Sequence, residues 1–267
     1  MAAKKKPIVV AITNQKGGIG KTSTAIALAT LLNKSGHKTL LIDADAQCNA
    51  SDTFHAVIDN RATLYDVLLE GEYLENAIQK TEYGDIVPGD ALLRRADATL
   101  PADPSGFFKL DNAINAFGRS DYEFIVIDTA PALGVLTRNV LIAADQVIIP
   151  VSADRYAIKG LDELVQSIQA IKKDPRLNPR IRIYGLLLVA YPDRTRLGKQ
   201  ILNSLKTISD QLGTRIITPA VRRTIKINEA HAKRTPLIYY DDKCTAAQDY
   251  AVIVEDFIKE TGKGKKG

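Results

Sequence analysis

Apolar runs rich in β-branched residues recur along this chain and alternate with amphipathic helical segments. A run without period-two alternation is typical of a strand covered on both faces, as in a parallel sheet. Repeated strand–helix alternation implies right-handed crossovers, so the sequence predicts an α/β fold with a doubly wound, mostly parallel sheet and helices on both faces. The runs are IVVAIT (8–13), TLLIDAD (39–45), FIVIDTA (124–130), QVIIPVS (146–152), YGLLLVA (184–190) and RIITPAV (215–221).

No linker rich in proline, glycine and serine interrupts this alternation, so residues 1–267 are predicted to form one domain. Helices are predicted over KTSTAIALATLLNKSG, IKGLDELVQSIQAIKK and RLGKQILNSLKTISDQLG. Between 52 and 120 the pattern is less regular, and DALLRRADATL predicts a helix there. The ends, residues 1–6 and 261–267, are predicted to be flexible tails.

The composition favours a water-soluble protein. Hydrophobic residues make up 45% of the chain and charged residues 25%, and no window approaches the roughly 18 apolar residues of a membrane-spanning helix. The basic start MAAKKKP precedes an apolar run that is too short for a secretory signal. Two cysteines and three histidines form no cluster with metal-ligand spacing. We therefore expect a cytoplasmic protein with no membrane partner.

The segment NQKGGIGKTS (14–23) lies between the first apolar run and the first helical segment. It departs from the phosphate-binding pattern G-x-x-x-x-G-K-[ST] at one position, where Gln15 replaces the first glycine and Lys16 follows. Backbone N–H groups of such a loop, together with the helix N-terminus, bind phosphate oxygens. The predicted nucleotide-binding residues are Gly17, Gly18, Ile19, Gly20, Lys21, Thr22 and Ser23. Lys21 is expected to contact the β- and γ-phosphates and Thr22 to contact Mg²⁺, so the cofactors expected are ATP and Mg²⁺.

Two of the apolar runs end in aspartate. LLIDADAQ contains Asp43 and Asp45, and FIVIDTAP contains Asp128. Ligands of an open parallel sheet bind beyond the carboxyl ends of its strands, where these side chains fall. A single aspartate there could cap a helix or a turn. Two strands that end this way beside a phosphate loop favour a role in metal and nucleotide binding.

Basic charge is concentrated near the C-terminus. The net charge is +5, and residues 191–267 contain 15 Lys and Arg against 9 Asp and Glu, whereas residues 1–190 contain 21 against 22. This asymmetry favours a polyanionic partner, nucleic acid before a membrane surface, although a solvated basic face is the alternative. Four polar residues of the predicted helix at 196–212 fall in a stripe about 80° wide: Arg196, Lys199, Asn203 and Lys206. The predicted DNA-contacting residues are Arg194, Arg196, Lys199, Lys206, Arg222, Arg223 and Lys226.

Four segments together resemble the ParA-type ATPases of DNA partition, which have a deviant form of the phosphate loop. These are KGGIGKTS with Lys16, LLIDADAQCNAS, FIVIDTAP and NEAHAKRTPLIYYD. The resemblance runs from residue 7 to about residue 260 and implies a P-loop NTPase fold. It identifies Lys16 as the signature lysine, which reaches across an ATP-sandwiched homodimer to phosphates bound in the partner subunit. It also implies that Asp45 orients the attacking water, and that Asp128 contacts Mg²⁺ through water.

The resemblance implies an ATP hydrolase with weak, Mg²⁺-dependent activity that a ParB-like partner stimulates. The ATP-bound dimer would bind DNA without sequence preference on the nucleoid and would leave it after hydrolysis. The family often has proline where Arg222 stands, followed by an arginine that matches Arg223, so this chain departs from the pattern there. Two alternatives share the ATPase core. One positions a cargo other than DNA, such as a protein compartment, and the other is a MinD-like ATPase that works on a membrane.

Overall fold

The structure is a computed structural model that describes residues 6–118, 122–152, 157–191 and 196–262, with the backbone alone at 157–160 and 196–201. Its strands are β1 (Ile8–Ile12), β2 (Thr39–Ala44), β3 (Gln79–Thr81), β4 (Gly84–Val87), β5 (Phe124–Thr129), β6 (Gln146–Ser152), β7 (Arg182–Val189) and β8 (Ile216–Ile217). They form a sheet in the order β3-β4-β2-β5-β1-β6-β7-β8. All neighbours pair in parallel except β3 and β4, which are antiparallel.

Helices connect most of these strands. The α-helices are α1 (Lys21–Lys34), α2 (Asn49–Thr53), α3 (Leu74–Ala77), α4 (Ala96–Thr99), α5 (Lys109–Phe117), α6 (Val135–Ala143), α7 (Ala157–Lys173), α8 (Arg196–Gln211), α9 (Lys226–Ala232), α10 (Leu237–Tyr240) and α11 (Thr245–Glu260). Short 3₁₀ segments cover Ala91–Arg95, Leu100–Ala102 and Gly106–Phe108, and one π-helical turn covers Asp66–Glu70. The predicted helix at 90–100 is therefore a short α-helix between two 3₁₀ turns.

Two apolar cores lie on the two faces of the sheet. One contains side chains of α5, α6 and α7, and the other contains side chains of α1 and α11, with alternate residues of the central strands on each side. All six residues of β5 are buried, as continuous apolar runs predict for strands covered on both faces. The structure confirms the predicted α/β class.

The six predicted strands are all present, and the β3–β4 hairpin was not predicted. Its strands have three and four residues, which is too short for a period to be recognised in a sequence. The assignment of residues 1–267 to one domain stays a prediction, and most of the two predicted tails lie outside the described residues. Over the ranges that the structure describes, none of the helices has the length and apolar character needed to cross a membrane.

Candidate nucleotide site

The predicted phosphate loop connects β1 to α1 at the carboxyl end of the central strands. Gly18 and Gly20 have φ angles of 70° and 79°, a left-handed conformation that favours glycine. The Asn14 side chain fixes the start of the loop, because its Nδ2 donates to the Pro150 carbonyl at 2.8 Å and its Oδ1 accepts from the Lys16 amide at 3.1 Å. Since Pro150 belongs to β6, this amide ties the loop to a neighbouring strand.

The two lysines of the loop have different surroundings. Lys21, the first residue of α1, is only 6% exposed, and its Nζ donates to the Lys16 carbonyl at 2.9 Å. Burial lowers the pKa of Lys21, and attraction to Asp128 and Asp45 opposes that effect. Lys16 is half-buried at the edge of the loop, where its Nζ lies 3.5 Å from the Ser152 hydroxyl at the end of β6. Lys21 thus points into its own loop, while Lys16 lies along the rim.

Three carboxylates lie at the ends of β2 and β5, and two of them, Asp45 and Asp128, attract the Lys21 ammonium. Asp43 and Asp128 are paired in register on these adjacent strands, and both are fully buried. Asp43 accepts hydrogen bonds from the Ser51 amide at 2.8 Å and the Ser51 hydroxyl at 2.7 Å, so it fixes the chain at α2. Burial raises its pKa to about 6, and the Ser51 contacts oppose that rise. Asp45 is 7% exposed, and its Oδ1 accepts from the Gln47 amide at 2.9 Å.

Asp128 differs from Asp43 in having few polar contacts. Within the described part of the chain neither of its carboxylate oxygens makes a well-formed hydrogen bond. Burial raises the pKa of Asp128 well above its usual value and repulsion from Asp43 and Asp45 adds to the rise, while the nearby Thr22 hydroxyl and the Lys21 ammonium oppose it. A buried carboxylate without hydrogen bonds is costly unless a cation compensates its charge.

These residues fit a hydrated Mg²⁺ site, with Thr22 and Asp128 as protein groups and Asp45 close by. The residues described contain no group of three or more His, Cys, Asp or Glu side chains that could bind a metal ion by themselves. Mg²⁺ usually keeps several waters and shares few protein ligands with substrate phosphates, so such a sparse set matches its preference. A cation here would depend on a bound nucleotide for the rest of its ligands.

The loop opens onto a cleft of about 740 Å³. Its lining includes all seven predicted nucleotide-binding residues, 17–23, together with Asp45. The opposite wall comes from the chain after β8, including Arg222, Arg223 and His231, and from Tyr250 of α11. On one side of the cleft, the backbone N–H groups and Lys21 can bind a polyphosphate. The residues of the opposite wall can contact a larger chemical group that is attached to that polyphosphate.

Side-chain contacts that the sequence did not predict connect the opposite wall of the cleft to the rest of the protein. The Arg222 guanidinium makes a paired contact with Asp249, with Nη2 to Oδ1 at 2.8 Å and Nε to Oδ2 at 3.0 Å. The Tyr250 hydroxyl lies 3.0 Å from the Thr24 hydroxyl of α1. Asp249 is 4% exposed, and no motif or period marked it. Its partner lies 27 positions away, so only the fold reveals the pair.

The predicted DNA-contacting residues lie in different settings. Arg194 and the side chains of Arg196 and Lys199 lie outside the described residues, whereas Lys206 is exposed on α8 and Arg223 is exposed at the cleft. Arg222 is paired with Asp249, and Lys226 donates to Glu229 at 2.8 Å within α9. A role for each of them in DNA binding stays a prediction, and the pairing reduces the charge that Arg222 and Lys226 present.

Comparison with known proteins shows which family the chain belongs to. A family described as an AAA domain matches residues 7–183. The chromosome partitioning protein ParA of Caulobacter vibrioides is 35% identical over 254 residues, which cover 94% of this chain and 93% of the relative.

Solved structures of related fold point to the same family. A plasmid partition protein of Borrelia burgdorferi bound to AMPPNP superposes with a TM-score of 0.81 at 27% identity, over 96% of this chain and all of the other. Cobyrinic acid a,c-diamide synthase of Mycobacterium smegmatis, with a bound ATP analogue and magnesium, gives 0.83 at 26% identity over 97% and 98%. The matched family, the phosphate loop and the whole-length similarity to partition proteins together make this chain a member of the ParA-type partition ATPases, in the ParA/MinD family of P-loop NTPases.

Proposed function

We propose that this protein is a DNA-partition ATPase that forms an ATP-sandwiched homodimer, binds DNA without sequence preference, and leaves it after hydrolysis stimulated by a ParB-like partner. The observation that carries the proposal is the division between the two lysines of the phosphate loop. Lys21 is buried against its own loop, whereas Lys16 lies half-buried on the rim. A rim lysine can contact phosphates bound by a second copy of the chain.

The residues of the cleft supply charge stabilisation rather than covalent chemistry. Phosphoryl transfer requires stabilisation of charge on the equatorial phosphoryl oxygens, which Lys21, the loop N–H groups and Lys16 from a second subunit would provide. Asp45 would orient the attacking water, since its carboxylate is fixed by the Gln47 amide at the cleft. Thr22 and Asp128 would bind Mg²⁺, which would add positive charge beside the β- and γ-phosphates. Because Lys16 acts on the other subunit's nucleotide, hydrolysis depends on dimerisation.

The proposed DNA contacts use the basic surface near the C-terminus. Arg223 and Lys206 are exposed there, and Arg194, Arg196 and Lys199 belong to the same stretch of the sequence. Contacts of Arg and Lys with phosphates carry no sequence information and are strongly sensitive to salt. Helix α11 does not favour the MinD-like alternative, because it buries Tyr250, Phe257 and other apolar side chains in the core.

DNA binding under different nucleotide states tests the proposal. We would measure gel shifts of two duplexes of unrelated sequence with ATP and Mg²⁺, with ADP and Mg²⁺, and without nucleotide. The proposal expects equal binding to both duplexes, only with ATP, and a steep loss between low and physiological salt. Binding that is independent of nucleotide, or independent of salt, would contradict it.

The Lys16→Gln variant tests the sandwich dimer separately. It should bind ATP with nearly unchanged affinity, because Lys21 and the loop amides remain, yet it should stay monomeric in analytical ultracentrifugation with ATP. Lys172→Ala, which removes an exposed lysine of α7, is the matched control and should dimerise normally. A Lys16→Gln dimer as stable as the wild type would exclude the proposed role of Lys16 in the partner's site.

A further inference from the structure

A histidine of α9 contacts the phosphate loop directly. His231 Nε2 lies 3.1 Å from the hydroxyl oxygen of Ser23, a residue 208 positions earlier in the first turn of α1. Both residues line the cleft. The contact therefore joins the far wall of the cleft to the helix whose N-terminus faces the proposed phosphate position.

The position of His231 is fixed by the packing of α9. Ala230, the preceding residue, is fully buried, and its carbonyl accepts from the Thr235 amide at 3.0 Å. Glu229 accepts from the Tyr240 hydroxyl at 2.9 Å, which ties α9 to α10. The backbone that carries His231 is therefore anchored, and the ring reaches the loop through its contact with Ser23.

When phosphate is bound, the protons available on the Ser23 hydroxyl and the His231 imidazole determine which of the two donates the hydrogen bond between them. A serine hydroxyl has one proton and two lone pairs, and a phosphate oxygen accepts hydrogen bonds. If the Ser23 proton is donated to a phosphate oxygen, then Ser23 can only accept from the imidazole, and Nε2 must carry a hydrogen. His231 is exposed to solvent, yet partial desolvation at the cleft lowers its pKa, which favours the neutral ring. The neutral Nε2–H tautomer meets this requirement, with Nε2–H donating to Ser23 and Ser23 donating to phosphate.

We propose that His231 is a positioning residue that orients the Ser23 hydroxyl toward a phosphate oxygen of the nucleotide. This inference rests on the proposed function, since it places the nucleotide in the same cleft. It gives α9 a direct effect on phosphate binding, beyond the contribution of the loop itself. Its chemistry requires a hydrogen-bond donor at the Nε2 position, and not a positive charge.

Calorimetric titration of ADP with Mg²⁺ into four variants tests the proposal. His231→Leu should weaken ADP binding about fivefold, the amount expected if the Ser23 hydroxyl is no longer oriented and its hydrogen bond to the phosphate is lost. His231→Gln retains an N–H donor and should recover most of the affinity, a rescue that a purely structural role would not give. Ser23→Ala should weaken binding to a similar extent, and the double variant Ser23→Ala/His231→Leu should bind no more weakly than Ser23→Ala alone.

Controls separate this inference from the proposed function and from misfolding. Asn112→Leu, an exposed polar-to-leucine change on α5, should bind ADP like the wild type, and thermal unfolding midpoints should show that each variant is folded. If the wild type binds ADP but His231→Leu binds equally well, or if the losses in the double variant add, the inference is wrong and the proposed function stands. If the wild type binds neither ADP nor ATP, both are wrong.

Discussion

The phosphate loop and the wall opposite it use charge in contrasting ways. In the loop region, Asp128 has no well-formed hydrogen bond within the described residues, and Lys21 is buried with a lowered pKa. In the wall, Arg222 is paired with Asp249, and Lys226 with Glu229. A buried charge without a partner costs free energy in the ligand-free protein, and a bound ligand of opposite charge can compensate it. Charges that are already paired within the chain are partly compensated, so a count of basic residues overstates what the wall offers to a polyanion.

Lys21→Ala should have the largest effect. It removes a buried cation beside the proposed phosphate position, so ATP affinity and turnover should each fall about 100-fold or more. The fold should tolerate the change, because burial disfavours the charged form of Lys21 and its pKa is lowered. Calorimetric ATP titration and a phosphate-release assay measure the two effects, with Lys172→Ala as the exposed control. Turnover equal to that of the wild type would mean that the nucleotide binds elsewhere.

Arg222→Ala should give the largest loss of stability. It leaves the carboxylate of Asp249 buried without its guanidinium partner, which should lower the free energy of unfolding by about 2 kcal/mol. Urea unfolding measures the change. The double variant Arg222→Leu/Asp249→Leu should recover much of the loss, because it removes the buried charge as well. If the single variant unfolds at the same urea concentration as the wild type, the ion pair does not stabilise the wall.

Asp128→Asn should change stability in the opposite direction. Without nucleotide and Mg²⁺, it replaces a buried carboxylate beside Asp43 by a neutral amide, so the free energy of unfolding should rise by about 1 kcal/mol. The same variant should lose the increase in ATP affinity that Mg²⁺ gives the wild type. Thermal unfolding and ATP titrations with and without Mg²⁺ provide the two readouts. A variant less stable than the wild type would show that the Asp128 charge is compensated within the chain.

The same contrast explains how much the sequence could predict. The loop residues 17–23 are consecutive, and the aspartates end apolar runs, so local pattern alone placed them at one edge of a parallel sheet. The wall depends on tertiary contacts: Arg222 meets Asp249 across 27 positions, and His231 meets Ser23 across 208. A basic residue gives no sign in sequence of whether a carboxylate will be folded against it. The β3–β4 hairpin was missed for a related reason, since its short strands depend on pairing at the sheet edge.

Arg223→Ala should have the smallest effect, and it tests whether the wall has a basic residue for DNA beside the paired Arg222. Arg223 is exposed, so its removal should leave stability within about 0.5 kcal/mol of the wild type. DNA affinity with ATP should fall several-fold, and the slope of log affinity against log salt should decrease by about one for each DNA phosphate that the variant no longer neutralises. Fluorescence anisotropy of labelled duplex over a salt series measures this, with Arg180→Ala as the exposed control. An unchanged slope for Arg223→Ala, with a reduced slope for Arg222→Ala, would reverse the assignment and show that DNA competes with Asp249 for the paired arginine.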